Sequence, residues 1–118
     1  WLGGKKGENQ VHWSLFDETG TNRRMDSESG SLPLDEFTHI SGVYDATSGE
    51  MQIYVNGDLD STSEASFTPA TSDQPGAIGA ELTDGSPTDP FDGVIDDVRV
   101  YDRALSQSEI RAIYDATK

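Results

Sequence analysis

The sequence contains no cysteine. That excludes a disulfide framework, a thiolate metal site and a cysteine nucleophile. Cations are scarce as well. Lys5, Lys6 and Lys118 are the only lysines, and 8 basic residues stand against 22 acidic ones, for a net charge of −14. Such a surface repels polyanions, stays soluble and suits high salt, so nucleic acid is not an expected partner. Apolar residues make up 33% of the chain, and no run approaches the ~20 residues that a membrane-spanning helix needs. No Asn-x-Ser/Thr acceptor occurs. There is neither an initiator Met nor a basic segment leading into a long apolar stretch. The expectation is that any secretion signal lies upstream or never existed, and that these 118 residues are an excerpt.

What is present is a pattern of period two, punctuated by turns. Gln10 to Phe16 alternates Val11, Trp13 and Leu15 with His12, Ser14 and Phe16, and Asp17-Glu18-Thr19-Gly20 follows as a turn. Asn22 to Ser27 is a polar, weaker strand. Glu36 to Asp45 carries Phe37, His39, Ser41 and Val43 on one face, with Ile40 and Tyr44 on the other. A Gly-bearing loop at Asp45 to Gly49 leads into Glu50 to Asn56, where Met51, Ile53 and Val55 alternate with Gln52, Tyr54 and Asn56. Asn56-Gly57 is a strong hairpin signal, because a type I′ turn needs positive φ at both central residues. Ser61 to Asp73 reads as an extended crossing segment, Gly76 to Glu81 as a short strand, and Thr83 to Pro90 as a loop. Gly93 to Tyr101 is the most β-prone stretch of the chain.

One helix is expected. Ser106-Gln107-Ser108-Glu109 has capping-box spacing, and Ile110, Ile113 and Tyr114 supply an i, i+3, i+4 apolar face. Many short strands with one late helix predict an all-β antiparallel β-sandwich. Residues 1–118 read as a single domain, without internal repeat or linker.

Phe91 to Ser106, continuing through Glu109-Ile110 to Tyr114, resembles the closing strand and helix of laminin-G-like and pentraxin-type jelly rolls. Phe37 to Asp45 and Met51 to Gly57 are similar to the central hairpin of the same concanavalin-A-like family. The resemblance implies a jelly roll and an extracellular or cell-surface location. It also implies neighbouring domains in a larger chain and no membrane insertion. Family members carry further strands before the segment that begins here at Trp1, so the domain is expected to be truncated at its N-terminus. Two stacked sheets need each other's inner faces. Missing strands would leave open edges, to be covered by a partner segment or left frayed.

Several residues invite a chemical reading. Glu81, Asp84, Asp89 and Asp92 fall within twelve residues in a Gly/Pro-rich loop, as hard-cation ligands do. The resemblance implies calcium there, with Glu81 and Asp89 the best positional matches. The competing reading is a solvated turn in which Asp and Pro serve the backbone. Asp96 shares a strand face with Val94, Val98 and Val100, so either a bulge redirects it or a partner satisfies it. His12 and His39 lack both metal-ligand spacing and a nucleophile elbow.

Glycoside hydrolysis needs two carboxylates across a cleft. The glucanases of this fold place theirs as Glu-x-Asp-x-x-Glu on one strand, and no such run occurs here. The adjacent pairs Asp17-Glu18, Asp35-Glu36 and Asp96-Asp97 point to opposite strand faces. Among the aromatics Tyr54 alternates away from Met51, Ile53 and Val55, and is the candidate ligand-binding residue. The expectation is a non-enzymatic module that recognises glycan or a protein surface, with calcium as the implied cofactor. A structural adhesion or spacer domain, and an accessory domain of a glycan-degrading enzyme, are the alternatives.

Overall fold

The computed structural model describes residues 1–5, 7–73 and 76–118; Lys6, within the opening segment, lies outside them. Its elements are β1 (Leu2–Lys5), β2 (Gln10–Phe16), β3 (Asn22–Asp26), β4 (Ile40–Asp45), β5 (Glu50–Val55), β6 (Asp58–Glu64), β7 (Glu81–Thr83), β8 (Ser86–Thr88) and α1 (Gln107–Thr117). The chain divides into two compact units, residues 1–70 with 101–118, and residues 71–100. The family that the resemblance implied, and the all-β antiparallel class with one short terminal helix, are both found.

The larger unit is built from two antiparallel three-stranded sheets, β1-β2-β3 and β4-β5-β6. Turn chemistry sets the registers. After β4 the Asp45 carboxylate accepts from the Thr47 amide at 2.9 Å and the Asp45 carbonyl from the Gly49 amide at 2.8 Å. Asp45 therefore pairs with Glu50 and the ladder runs back to Ile40 opposite Val55. Gly49 has φ 73°, and a Cβ there would meet the Ser66 Cβ at 3.1 Å, so two constraints select glycine. At the next corner Asn56 and Gly57 have φ of 51° and 83°, as the Asn-Gly signal requires. Asn56 also brackets the start of β4. Its amide donates to the His39 carbonyl at 2.8 Å, and its side-chain oxygen accepts from the His39 amide at 3.0 Å.

The alternation read from the sequence decides what each sheet buries. Val11 and Met25 from the first sheet meet Met51 and Ile53 from the second, with Leu2, Trp13, Ile40, Tyr44 and Phe67 around them. Removing such side chains from water stabilises by about 1.5–3 kcal/mol each. Trp13 lies across Gly42, where a Cβ would sit 2.7 Å from the indole, and its Nε1 donates to the Val43 carbonyl at 3.3 Å. The ring therefore satisfies its polar atom while filling the space between the sheets.

The outer face of the second sheet carries Val43 and Tyr54, and α1 covers it with Ile110 and Leu105. The helix has the capping box expected from Ser106 and Glu109. The Ser106 Oγ accepts from the Glu109 amide at 3.2 Å, and Glu109 accepts from the Ser106 amide at 3.1 Å.

Residues 71–100 differ. Their only strands are β7 and β8, joined through Asp84 and Gly85 at φ 51° and 79°. These strands fall partly inside Thr83 to Pro90, expected as loop, while Gly76 to Ala80 forms no strand. No described residue from 71 to 100 is buried. Gly93 to Tyr101, the stretch of highest β propensity, is not a strand, which corrects the reading of a closing strand there. Two physical reasons account for it. Strand propensity reflects packing on a half-buried surface, and no described strand lies beside this stretch. In addition, Asp97 takes φ 52°, which breaks extended geometry at the centre.

Candidate functional site

The four carboxylates expected to hold a metal lie on or beside the β7–β8 hairpin. Glu81 opens β7, Asp84 occupies the turn, Asp89 follows β8 at φ 46°, and Asp92 lies beyond it. All four are exposed. The hairpin is held across its ladder by Thr83 and Thr88, whose hydroxyls are 2.9 Å apart, and by pairing of Glu81 with Thr88. Asp84 and Asp89 both adopt the left-handed region that Asp tolerates through local hydrogen bonding. Among the described residues no three His, Cys, Asp or Glu side chains converge so as to hold a metal ion.

Tyr54 faces away from Met51 and Ile53, as the alternation requires, but that face is not open. It is 4% exposed, packed with Val43 and Ile110, and its hydroxyl donates to the Gln52 side chain at 3.1 Å. Burial, reinforced by the negative charge of Glu50, raises its pKa above 10.0. A ligand cannot stack on this ring while α1 is in place. His12 is held through Nδ1 by Asp26 at 2.8 Å. The His39 ring lies 6.0 Å from that of Tyr114, tilted by 51°.

Asp96 does not bury a carboxylate. It is exposed and accepts from the Asp97 amide at 2.8 Å, next to the left-handed backbone of Asp97. The backbone irregularity weighed as one of two outcomes is the one found, in a stretch that is not strand.

Two other carboxylates are organised far more tightly. Asp17 is 3% exposed. Its Oδ1 accepts from the Thr19 hydroxyl at 2.5 Å, the Thr21 amide at 2.9 Å and the Thr19 amide at 3.0 Å, and its Oδ2 from Arg23 Nε at 2.9 Å. The Thr19 hydroxyl is the largest influence and burial opposes it. The Thr21 amide, Arg23 and the Thr19 amide complete the set, and the carboxyl is lowered to about 2 from 3.8. Asp60 joins β6 to the segment after β3, accepting from the Ser31 hydroxyl at 2.6 Å, the Ser61 hydroxyl at 2.6 Å and the Glu28 amide at 2.9 Å. Burial raises its pKa, but these donors outweigh it and the net shift is downward. Both groups are committed to internal donors, so neither serves as a general base.

Sequence reasoning missed both. Asp17 left a usable signal, because Asp17, Thr19, Thr21 and Arg23 recur at every second position. Asp60 left none, since its partner Ser31 is 29 residues away.

Phe16 and Phe37 of the larger unit are exposed singly, whereas two other aromatics pair. Tyr44 stacks on Phe67 at 4.6 Å between ring centroids and donates its hydroxyl to the Phe67 carbonyl, while Arg23 lies over the Phe67 ring at 5.7 Å. These contacts close the end of the sandwich beside the Asp17 turn.

Comparison with known proteins bears on this geometry. No curated protein matches the sequence. The chain is similar to a crystal structure at 2.1 Å of residues 221–444 of an S-layer domain-containing protein from Clostridium thermocellum, with a TM-score of 0.62 and 20% identity. The match covers 97% of this chain and 61% of that one, so the present chain spans under two thirds of its solved relative. At that identity the likeness is one of fold. A laminin-G family model, described as the concanavalin A-like lectin/glucanases superfamily, matches residues 2–111. With nearly the whole sequence inside that match, the chain belongs to the laminin-G-like family of the concanavalin A-like lectin/glucanases superfamily.

Proposed function

We propose that the chain is a non-catalytic recognition module of a larger extracellular or cell-surface protein, taking glycan or a protein surface as its ligand. The observation that carries this reading is membership of a lectin/glucanase superfamily over residues 2–111 without the carboxylate run that the glucanases use. Asp17 and Asp60, the most strongly organised acids, are occupied by structural donors. The S-layer domain-containing relative supports a surface setting, and it equally favours the second reading, a spacer domain without a ligand of its own.

Calcium is part of the proposal. The exposed hairpin acids Glu81, Asp84, Asp89 and Asp92 are of the right chemical type. No three acids are pre-assembled among the described residues, so binding requires the hairpin to rearrange and further oxygens to join. The test is isothermal titration of calcium into the chain, with magnesium as control, followed by a glycan screen at saturating calcium. Saturable calcium-specific heat, abolished by the paired change Glu81→Ala and Asp89→Ala, supports a metal-organised rim. Glycan binding without calcium keeps the recognition reading and removes the metal. Failure of both leaves the spacer reading.

A further inference from the structure

We propose that residues 95–100 form an edge strand that pairs antiparallel with the same residues of a second copy of this chain. Val94, Ile95, Val98 and Val100 are 72%, 45%, 52% and 93% exposed. No backbone–backbone hydrogen bond engages residues 92–100 among the described residues, the Asp97 amide being taken by the Asp96 side chain. A stretch of strand-forming residues with unpaired amides and carbonyls is a template for another strand.

The sequence selects the occupant through its charges. A two-fold axis between Asp97 and Val98 sets Ile95 opposite Val100, Asp96 opposite Arg99 and Asp97 opposite Val98, each occurring twice by symmetry. Directly opposed apolar and opposite-charge pairs are the stabilising units of an antiparallel ladder. Moving the axis one residue back sets Asp96 against Asp97, and one residue forward leaves both aspartates without an opposing cation. Arg99 has no ion-pair partner among the described residues, so its guanidinium is available. Asp97 must leave its φ of 52° for the ladder to close, and the net charge of −14 opposes association. Self-pairing is therefore weak at low salt and is favoured where screening shortens the Debye length to about 8 Å or less.

The experiment is sedimentation velocity on the 118-residue chain from low micromolar to millimolar concentration, in roughly 0.15 M and roughly 0.5 M salt. The expected result is a monomer–dimer equilibrium strengthened at the higher salt. Asp96→Arg and Arg99→Asp, each alone, weaken dimerisation by about tenfold, and the double exchange restores it. Asp97→Val, which removes the left-handed preference, tightens it. All these side chains are exposed, and circular dichroism of each variant checks that the fold is kept. A chain monomeric throughout overturns the proposal and assigns the stretch to some other strand. So does a dimer indifferent to the charge exchange, or one that the double exchange fails to restore.

Discussion

Residues 71–100 are hardly poorer in apolar side chains than the rest: nine of these thirty are apolar, against 33% for the whole chain. Yet the larger unit buries Val11, Met51, Ile53 and Ile110 almost completely, while no described residue of the smaller one is buried. Composition therefore does not separate the two regions. What separates them is whether a second layer is supplied. In the larger unit each sheet meets apolar side chains of the other or of α1. Within residues 71–100 the only sheet among the described residues is the β7–β8 hairpin, and an isolated two-stranded hairpin is marginally stable at best.

Mutations break or sharpen this contrast. The largest effect is expected from Ile53→Ala, fully buried between the sheets, which should cost about 2–5 kcal/mol in urea unfolding. Val100→Ala, in the exposed stretch, should stay within about 0.5 kcal/mol. Equal losses at the two positions would mean that residues 71–100 are packed in solution.

Asp17→Asn should lower the melting temperature at neutral pH by removing an ionised acceptor from its four donors. The folded carboxyl is depressed to about 2 from 3.8. Its contribution is thus fully present above about pH 4 and is lost as pH falls toward about 2. The melting temperatures of the wild type and of the Asp17→Asn variant should converge across that interval, and a constant gap between them would show that the charge is unimportant. Gly42→Ala, whose Cβ would sit 2.7 Å from Trp13, should cost about 1–3 kcal/mol by overpacking. Ser106→Ala should cost about 1 kcal/mol through loss of the helix cap, measurable as a drop in the unfolding midpoint. In native-state hydrogen exchange, the amides of 92–100 should exchange fastest and those of β5 slowest.

Much of the larger unit was legible because its signals are local. Asn56-Gly57 demanded its hairpin, the alternation of Met51 and Ile53 chose the core face, and Ser106 with Glu109 placed the helix start. The closing strand was not legible in the same way. Val94 to Val100 has strand propensity, but propensity is realised only against a neighbour, and sequence pattern says nothing of whether one is present. Tyr54 shows a related limit: alternation gave its direction correctly, while the helix that covers it begins only at Gln107. The acids Glu81, Asp84, Asp89 and Asp92 share a loop by spacing, yet convergence of ligands is a property of three-dimensional placement that spacing alone does not supply.

The position of the tryptophans decides what optical probes see. Trp13 is wedged between the sheets against Gly42 and Trp1 stands at the edge of the same unit, whereas Phe91 is the one aromatic residue between 71 and 100. Indole and phenol emission is therefore a one-sided witness. A melting curve followed by fluorescence would describe the sandwich alone and stay silent if residues 71–100 loosened well before it, so any thermal study of this chain needs a backbone probe running beside it.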